Sequence, residues 1–331
     1  MAKKVLLLNF LFLFTFLLAS CTSTTATHGE QGPRAPTEAQ QKNSTDKNGK
    51  SSEAFAPPSR LAELEDTEID ESSGIVASRR NPDLFWTHND SGDGPFIYAF
   101  DRRGRNRGVW RVGGAEAYDW EDIAAGPGPQ KGQSYLYLGD IGDNGLRREQ
   151  IIVYRVAEPL IASTDAANTK KSPHLTETSE AIRLKYPDGK HDAEALLVHP
   201  TTGDLYVITK GTATNSGIYK ATAPLSNTNI TTLTRIAQVR TPSVFGGLIT
   251  GADISPDGRH VALCDYINGY EITLPDASKS FDEIWKQSIK TIELGPRQQG
   301  ESICYRLDNN AVLATSEKLP TPLIEVVRLK K

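Results

Sequence analysis

Cysteine and methionine are scarce in this sequence, and neither sign of charge dominates. The 331 residues include three Cys and one Met, and 37 Lys and Arg stand against 41 Asp and Glu, a net charge of -4. So few cysteines exclude a disulfide-rich scaffold. The small net charge gives no electrostatic reason to expect nucleic acid or acidic lipid as a partner. The six histidines lack metal-ligand spacing, and no Gly-x-Ser-x-Gly or phosphate-binding loop is present.

The one long apolar stretch lies at the N-terminus. Lys3 and Lys4 precede a mostly apolar run over residues 5–18, and Leu-Ala-Ser then leads into Cys21. This order resembles a bacterial lipoprotein signal, which implies cleavage after residue 20 and lipidation of Cys21. Thr22, where an aspartate would retain the protein at the inner membrane, implies an outer-membrane anchor in the cell envelope, on either side of that membrane. An ordinary secretory signal or a transmembrane anchor is the alternative, although the run is short for a span.

Residues 21–58 differ in composition from the rest of the chain. They are rich in Ser, Thr, Gln, Lys, Gly and Pro and nearly free of large apolar side chains. Such a segment buries too little surface to offset its ordering entropy, so we expect a disordered tether followed by one folded domain over residues 59–331. Cys264 and Cys304 lie in that domain, either as a disulfide or as buried free thiols.

A short degenerate motif recurs five times in the folded part. The copies read Ser73-Gly-Ile-Val, Glu121-Asp-Ile-Ala, Glu194-Ala-Leu-Leu, Ala252-Asp-Ile-Ser and Glu301-Ser-Ile-Cys. A turn and a β-rich run follow each copy, as is typical of a propeller or a similar array. We therefore predict an all-β fold, a five-bladed β-propeller with about four strands in each blade.

The fifth repeat is one strand short, and the segment Arg60–Glu65 precedes the first repeat. We predict that this N-terminal segment supplies the missing outer strand and closes the ring. Six blades, the alternative, would require a blade within the polar insertion Ser163–Ser179, which we interpret as a surface loop. Phe281–Lys286 is a candidate short helix, and Trp86, Trp110 and Trp120 are candidate core residues.

The first strand of each propeller blade lines the central channel, so the first residues of the five copies fall at one level. These residues are Ser73, Glu121, Glu194, Ala252 and Glu301. Three carboxylates at one level repel one another and must share protons, pair with cations or bind a metal. Several hard oxygen ligands around a flexible cavity favour Ca²⁺. The alternative is a solvated channel lining or a set of hydrogen bonds between blades.

The end of each second strand lies beside the start of the first strand in an antiparallel sheet. These ends are polar and mostly acidic in all five repeats, although the strands leading to them are apolar. We take Asp90, Asp140 and Lys210 as candidate catalytic residues at this edge. Each of them alone is also ordinary turn chemistry.

Two resemblances follow from these motifs. From about Glu71 onward the chain resembles a family of uncharacterised bacterial exported propellers, some of them labelled phytase- or esterase-like. The motifs that carry this resemblance are Ser-Gly-Ile, Trp-Thr-His-Asn-Asp-Ser-Gly, Asp-Trp-Glu-Asp-Ile-Ala, Gly-Asp-Ile-Gly-Asp-Asn, Asp-Ala-Glu-Ala-Leu and Gly-Glu-Ser-Ile. The row Ser73, Glu121, Glu194, Ala252, Glu301 is more distantly similar to calcium-activated nucleotidases (apyrases). That resemblance implies five blades and one channel Ca²⁺ held by Ser, Glu, Glu, Ser and Glu. Ala252 departs from this pattern and removes one side-chain oxygen.

Two functions are compatible with the sequence. The first is an envelope-anchored, calcium-containing propeller that hydrolyses a phosphoester or phosphoanhydride of a phosphorylated small molecule. The second is a non-catalytic propeller scaffold that binds an envelope protein or a glycan. Fold alone does not decide between an enzyme and a scaffold. In either case we expect a monomer held at the membrane by lipid on Cys21.

Overall fold

The computed structural model describes residues 55–211, 215–243 and 248–329, which belong to one compact unit. The predicted signal peptide, Cys21 and nearly all of the predicted tether lie outside these residues. The described part is mostly β and contains five sheets of four or five strands each. The predicted all-β, five-bladed propeller is therefore confirmed, and no sixth blade is present among the described residues.

The first three blades follow the chain from Ser72 to Val239. Blade 1 consists of β2 (Ser72–Ala77), β3 (Leu84–Asn89), β4 (Phe96–Asp101), β5 (Asn106–Gly113) and β9 (His174–Thr178). Blade 2 consists of β6 (Trp120–Pro127), β7 (Ser134–Asp140), β8 (Ile151–Ala157), β10 (Glu180–Lys185) and β14 (Thr231–Thr232). Blade 3 consists of β11 (Ala193–Val198), β12 (Leu205–Thr209), β13 (Ser216–Ala221) and β15 (Thr234–Val239).

The last two blades complete the ring. Blade 4 consists of β16 (Gly251–Ile254), β17 (His260–Cys264), β18 (Gly269–Thr273) and β19 (Ile289–Ile292). Blade 5 consists of β20 (Gln299–Tyr305), β21 (Ala311–Glu317), β22 (Pro322–Val327) and β1 (Ser59–Glu63). Strand β1 pairs antiparallel with β22, from Ser59 opposite Glu325 to Glu63 opposite Pro322. The predicted closure by an N-terminal strand is thus confirmed.

The insertion predicted as a surface loop, Ser163–Ser179, is more ordered than expected, and this prediction is corrected. It begins with a 3-10 helix (Ser163–Ala167), and its second half forms β9, which pairs parallel with the outer edge of blade 1. Polar side chains suit this position because only one face of an added edge strand is covered. The two-residue strand β14 extends blade 2 in the same way. The short helix expected at Phe281–Lys286 is present as a 3-10 helix.

The hydrophobic core is divided into five clusters, one between each pair of adjacent blades. Trp86, Trp110 and Trp120 lie together between blades 1 and 2, as predicted for core residues. Cys264 packs between blades 4 and 5, whereas Cys304 packs between blades 5 and 1. Because the two thiols lie in different clusters, they remain free and buried, the second of the two alternatives. Within the described ranges, no helix has the length and apolar character needed to cross a bilayer.

Candidate functional site at the upper mouth of the channel

The inner strands β2, β6, β11, β16 and β20 contact one another in a ring around the channel. Each pairs antiparallel with the second strand of its blade, so the starts of the inner strands and the ends of β3, β7, β12, β17 and β21 share one face. We call the channel opening on this face the upper mouth. The polar ends of the second strands lie around this mouth, as predicted from the sequence.

The four oxygen-bearing residues of the predicted ring lie where the antiparallel ladder is interrupted. The register shifts between Ser72 and Gly74, Trp120 and Asp122, Ala193 and Ala195, and Gln299 and Ser302. The shifts pass over Ser73, Glu121 and Glu194, and in blade 5 they pass over both Gly300 and Glu301. A bulge leaves its extra residue unpaired and re-aims its side chain. In blade 4 the ladder runs regularly through Ala252, which pairs with Leu263, so the blade that lacks the oxygen also lacks the bulge.

The closest group of carboxylates at the upper mouth comes from blades 1 and 2. One oxygen each from Asp90, Asp119 and Glu121 lies within 4.8 Å of the other two. Asp90 follows β3, Asp119 directly precedes β6, and Glu121 is the bulged residue of β6. Gly142 makes room for them, because a Cβ there would lie 2.1 Å from Glu121 Oε1 and 2.5 Å from Asp119 Oδ2. We call Asp90, Asp119 and Glu121 the acidic cluster.

Like charge and burial act together on the acidic cluster. Burial, followed by Glu194 and Asp90, raises the pKa of Glu121 well above its usual value. Burial and the neighbouring Asp90 raise the pKa of Asp119 to about 6. The side chain of Glu121 is buried, and no hydrogen bond or ion pair joins its carboxylate to another described residue. The cluster therefore carries protons or negative charge that no described side chain neutralises by direct contact.

Blade 3 introduces a cation at the upper mouth that is absent from the inner strands. Lys210, just after β12, forms a close ion pair with Glu194 and lies over the ring of Tyr266. Burial raises the pKa of Glu194 to about 8, and Lys210 opposes that shift. Burial opposes ionisation of Lys210, but Glu194 and Tyr266 together outweigh it and raise the pKa of Lys210. This carboxylate is thus neutralised by a lysine.

Glu301 of blade 5 is paired in a different way. Burial and a hydrogen-bonded contact with the carboxyl group of Glu317 raise its pKa to about 9, so the two groups share a proton at neutral pH. The amide of Gln299 donates to Glu301 Oε1 over 2.9 Å. Ser73 has a structural contact as well, since its hydroxyl donates to the carbonyl of Glu121 over 2.7 Å. Of the five predicted metal ligands, only Glu121 therefore belongs to the acidic cluster.

Asp140 and its loop are held together by internal contacts. Arg148 Nη1 lies 2.7 Å from Asp140 Oδ1 and 2.9 Å from the carbonyl of Gly142. The backbone N–H groups of Tyr118 and Asp119 also donate to Asp140. Of the three predicted catalytic residues, Asp90 contributes to the acidic cluster, Lys210 is paired with Glu194, and Asp140 orients the backbone that carries Asp119.

Two further carboxylates lie below the upper mouth and connect blades. Asp122 Oδ2 accepts from the N–H of Leu196 in blade 3 at 2.9 Å and from that of Ala252 in blade 4 at 3.4 Å. Asp253 Oδ2 accepts from the N–H of Tyr305 in blade 5 at 2.8 Å. The sequence motif contains both residues, but it does not show which neighbouring blades their side chains contact. The residue before Asp122, Glu121, lies in a bulge, whereas the residue before Asp253, Ala252, lies in a regular ladder. The sequence does not show this difference.

Comparisons with known proteins add little to this geometry. No protein-family model and no curated protein matches the chain. Among the solved structures that match, one described as a Nidogen/Laminin complex has a TM-score of 0.38 and 14% identity, and the match covers 78% of this chain and 86% of that chain. At that level the match carries no argument about function, and the assignment of a propeller rests on the five sheets themselves.

Proposed function

We propose that the protein is a calcium-binding β-propeller whose cation is held at the upper mouth by Asp90, Asp119 and Glu121. The observation that carries this proposal is the convergence of three carboxylates whose pKa values are raised. Among the described residues, no lysine, arginine or histidine side chain forms an ion pair with any of the three. A bound cation would offset their mutual repulsion. Glu194 and Glu301, the other carboxylates of the predicted ring, are offset by Lys210 and by the proton shared with Glu317, so the proposed ligands are the three carboxylates of the acidic cluster.

The donor set suits calcium. Carboxylate oxygens are hard ligands, and the cluster contains no thiolate or imidazole that would favour zinc. The ligands come from a loop, a strand start and a bulge, and such a set tolerates the variable coordination number of Ca²⁺ better than the strict octahedron of Mg²⁺.

Titration calorimetry of the purified domain with Ca²⁺ tests this proposal. We expect one site in the wild type and a loss of affinity of about tenfold or more in Glu121→Gln, since a buried ligand charge is removed without a change in shape. Glu177→Gln is the matched control, because Glu177 is exposed on β9. Absence of a calcium site, or equal affinities in wild type and Glu121→Gln, would refute the proposal.

For the reaction, we propose calcium-dependent hydrolysis of a phosphoester or phosphoanhydride. Bound calcium would supply a Lewis acid and a water of lowered pKa. The chain itself would orient the phosphoryl group through Lys210, and Asp90, as a ligand, would hold the cation beside that group. Release of phosphate from nucleotides, phytate or a simple phosphomonoester, abolished by a chelator, is the expected result. Calcium binding without any turnover would instead favour the non-catalytic scaffold for an envelope protein or glycan.

For location, we propose that the mature chain is an outer-membrane lipoprotein anchored through Cys21. The support is the order of charged, apolar and small residues before Cys21. Metabolic labelling with a fatty acid should label the wild type but not Cys21→Ser, and Cys21→Ser should leave the membrane fraction. Equal labelling of both proteins would exclude this anchor.

A further inference from the structure

A cavity of about 340 Å³ lies on the upper face beside the acidic cluster, between blades 2 and 3. Its wall includes four side chains that carry or can acquire positive charge, Lys190, His191, Lys210 and Arg235. Asp192 and the apolar side chain of Leu146 complete this part of the wall. A cavity of this size holds a small molecule or a part of one. All four have carboxylate partners, but those of Lys190 and Arg235 lie outside the cavity wall and are themselves open to solvent, so these two side chains indicate an anionic ligand.

Neighbouring groups fix the charged side chains of this cavity without removing them from solvent. Lys190 Nζ donates to the carbonyl of Arg147 over 3.0 Å and lies 2.6 Å from Glu149, whose side chain is 85% exposed. An ion pair with so exposed a partner is weak, so Lys190 remains available to a ligand. Arg235 Nη1 lies 3.3 Å from Asp188, while 47% of the Arg235 side chain is exposed.

The ring of His191 is oriented in the same manner. Its Nε2 lies 3.0 Å from Asp188 Oδ1 and 3.1 Å from the hydroxyl of Tyr219. These contacts fix the ring in the cavity wall, since a histidine with defined partners at one nitrogen has a defined orientation. The wall of the cavity is therefore organised before any ligand binds.

Two residues of the cavity wall also interact with groups at the upper mouth. Lys210 lines the cavity and also pairs with Glu194 of the inner ring. Asp192 lines the cavity, accepts from the N–H of Asp143 over 2.7 Å, and acts electrostatically on both Asp90 and Asp119. A ligand in the cavity would therefore lie close enough to the acidic cluster to be affected by its charge.

We infer that this cavity binds an oxyanion, a phosphate group of a ligand that carries at least two anionic groups. One group would contact Lys190 and Arg235, and another would reach the cation at the acidic cluster, so the inference rests on the proposed calcium site. Lysine and arginine donate charge-assisted hydrogen bonds to phosphate oxygens, and the planar guanidinium of Arg235 matches two of them. The substrate class is therefore a bis-phosphorylated compound or a phosphoanhydride rather than a lone phosphomonoester.

The test is calorimetric titration of the calcium-loaded domain with inorganic phosphate. In the double variant Lys190→Gln/Arg235→Gln we expect phosphate affinity to fall about tenfold, because two charge-assisted contacts are lost. The charge-preserving variant Lys190→Arg, which leaves the guanidinium of Arg235 in place, should bind phosphate within about threefold of wild type. Lys286→Gln is the matched control, a lysine on the 3-10 helix of blade 4 whose side chain is 69% exposed.

The two proposals fail in different ways. An unchanged phosphate affinity in the double Gln variant, or no binding of phosphate at about 10 mM, would overturn the cavity inference while leaving calcium affinity as evidence on the acidic cluster. If calcium does not bind but phosphate still binds through Lys190 and Arg235, the oxyanion site stands and the calcium proposal falls. A loss of phosphate binding in the charge-preserving variant Lys190→Arg as well would contradict recognition by charge.

Discussion

Asp122 connects three blades, so its replacement should destabilise the whole ring. Its carboxylate is 1% exposed and accepts from Leu196 N, Ala252 N and, within its own strand, Ile123 N. In Asp122→Ala the two N–H groups of other blades lose their acceptor. A buried donor left unsatisfied costs about 1–3 kcal/mol, so two of them should lower the free energy of unfolding by about 2–6 kcal/mol. That is a large fraction of the total stability of a typical domain.

The assay is equilibrium unfolding in urea, followed by tryptophan fluorescence, with a chelator present so that bound cation does not contribute. Glu177→Ala, on the exposed strand β9, should change the free energy of unfolding by less than about 0.5 kcal/mol. Asp122→Asn should fall between wild type and Asp122→Ala, because the amide retains one acceptor oxygen. A value for Asp122→Ala within about 0.5 kcal/mol of wild type would refute the role of Asp122 in joining blades.

Three further predictions concern the channel. Gly142→Ala should lower calcium affinity about tenfold or more, because the added Cβ would displace the oxygens of Asp119 and Glu121; unchanged affinity would show that they are not ligands. Calcium binding at pH 6 should release protons, because the pKa of Asp119 is raised to about 6, and the calcium affinity should therefore rise with pH. Calorimetry in two buffers that differ in their heat of protonation measures the protons released, and equal binding heats in both buffers would contradict the prediction. Burial raises the pKa of Asp253 to about 7, from its usual value of 3.8. Between pH 3.8 and about pH 7 the folded state therefore keeps a proton that the unfolded state has lost, so the free energy of unfolding should fall as pH rises from 3.8 to about 7. Asp253→Asn should reduce this slope by up to about 1.4 kcal/mol per pH unit, and an unchanged slope would contradict the assignment.

The blades were predictable because their strands are short, apolar and separated by turns. Closure by β1 was predictable from the missing strand of the fifth repeat, since a sheet with an open edge needs a partner. Strand β9 was not, because it pairs with β5 about sixty residues earlier and has only one buried residue, Thr176. A strand covered on one side only lacks the alternation that identifies strands in sequence.

The sequence placed the candidate site at the correct end of the channel, but it did not predict which carboxylates lie together there. The repeat aligned Glu121, Glu194 and Glu301, yet their surroundings differ because Lys210 and Glu317 come from the ends of second strands. Asp119 was overlooked, since it lies before the inner strand and enters the cluster only where Gly142 permits close approach. Bulges and close approaches depend on backbone register, which the residue pattern leaves undetermined.

The most direct test of the calcium site is the location of the ion itself. A crystal of the domain grown with calcium, and measured at a wavelength where calcium scatters anomalously, should show one anomalous peak bounded by carboxylate oxygens of Asp90, Asp119 and Glu121. A peak elsewhere in the channel, or no peak at a calcium concentration well above the measured dissociation constant, would contradict the account.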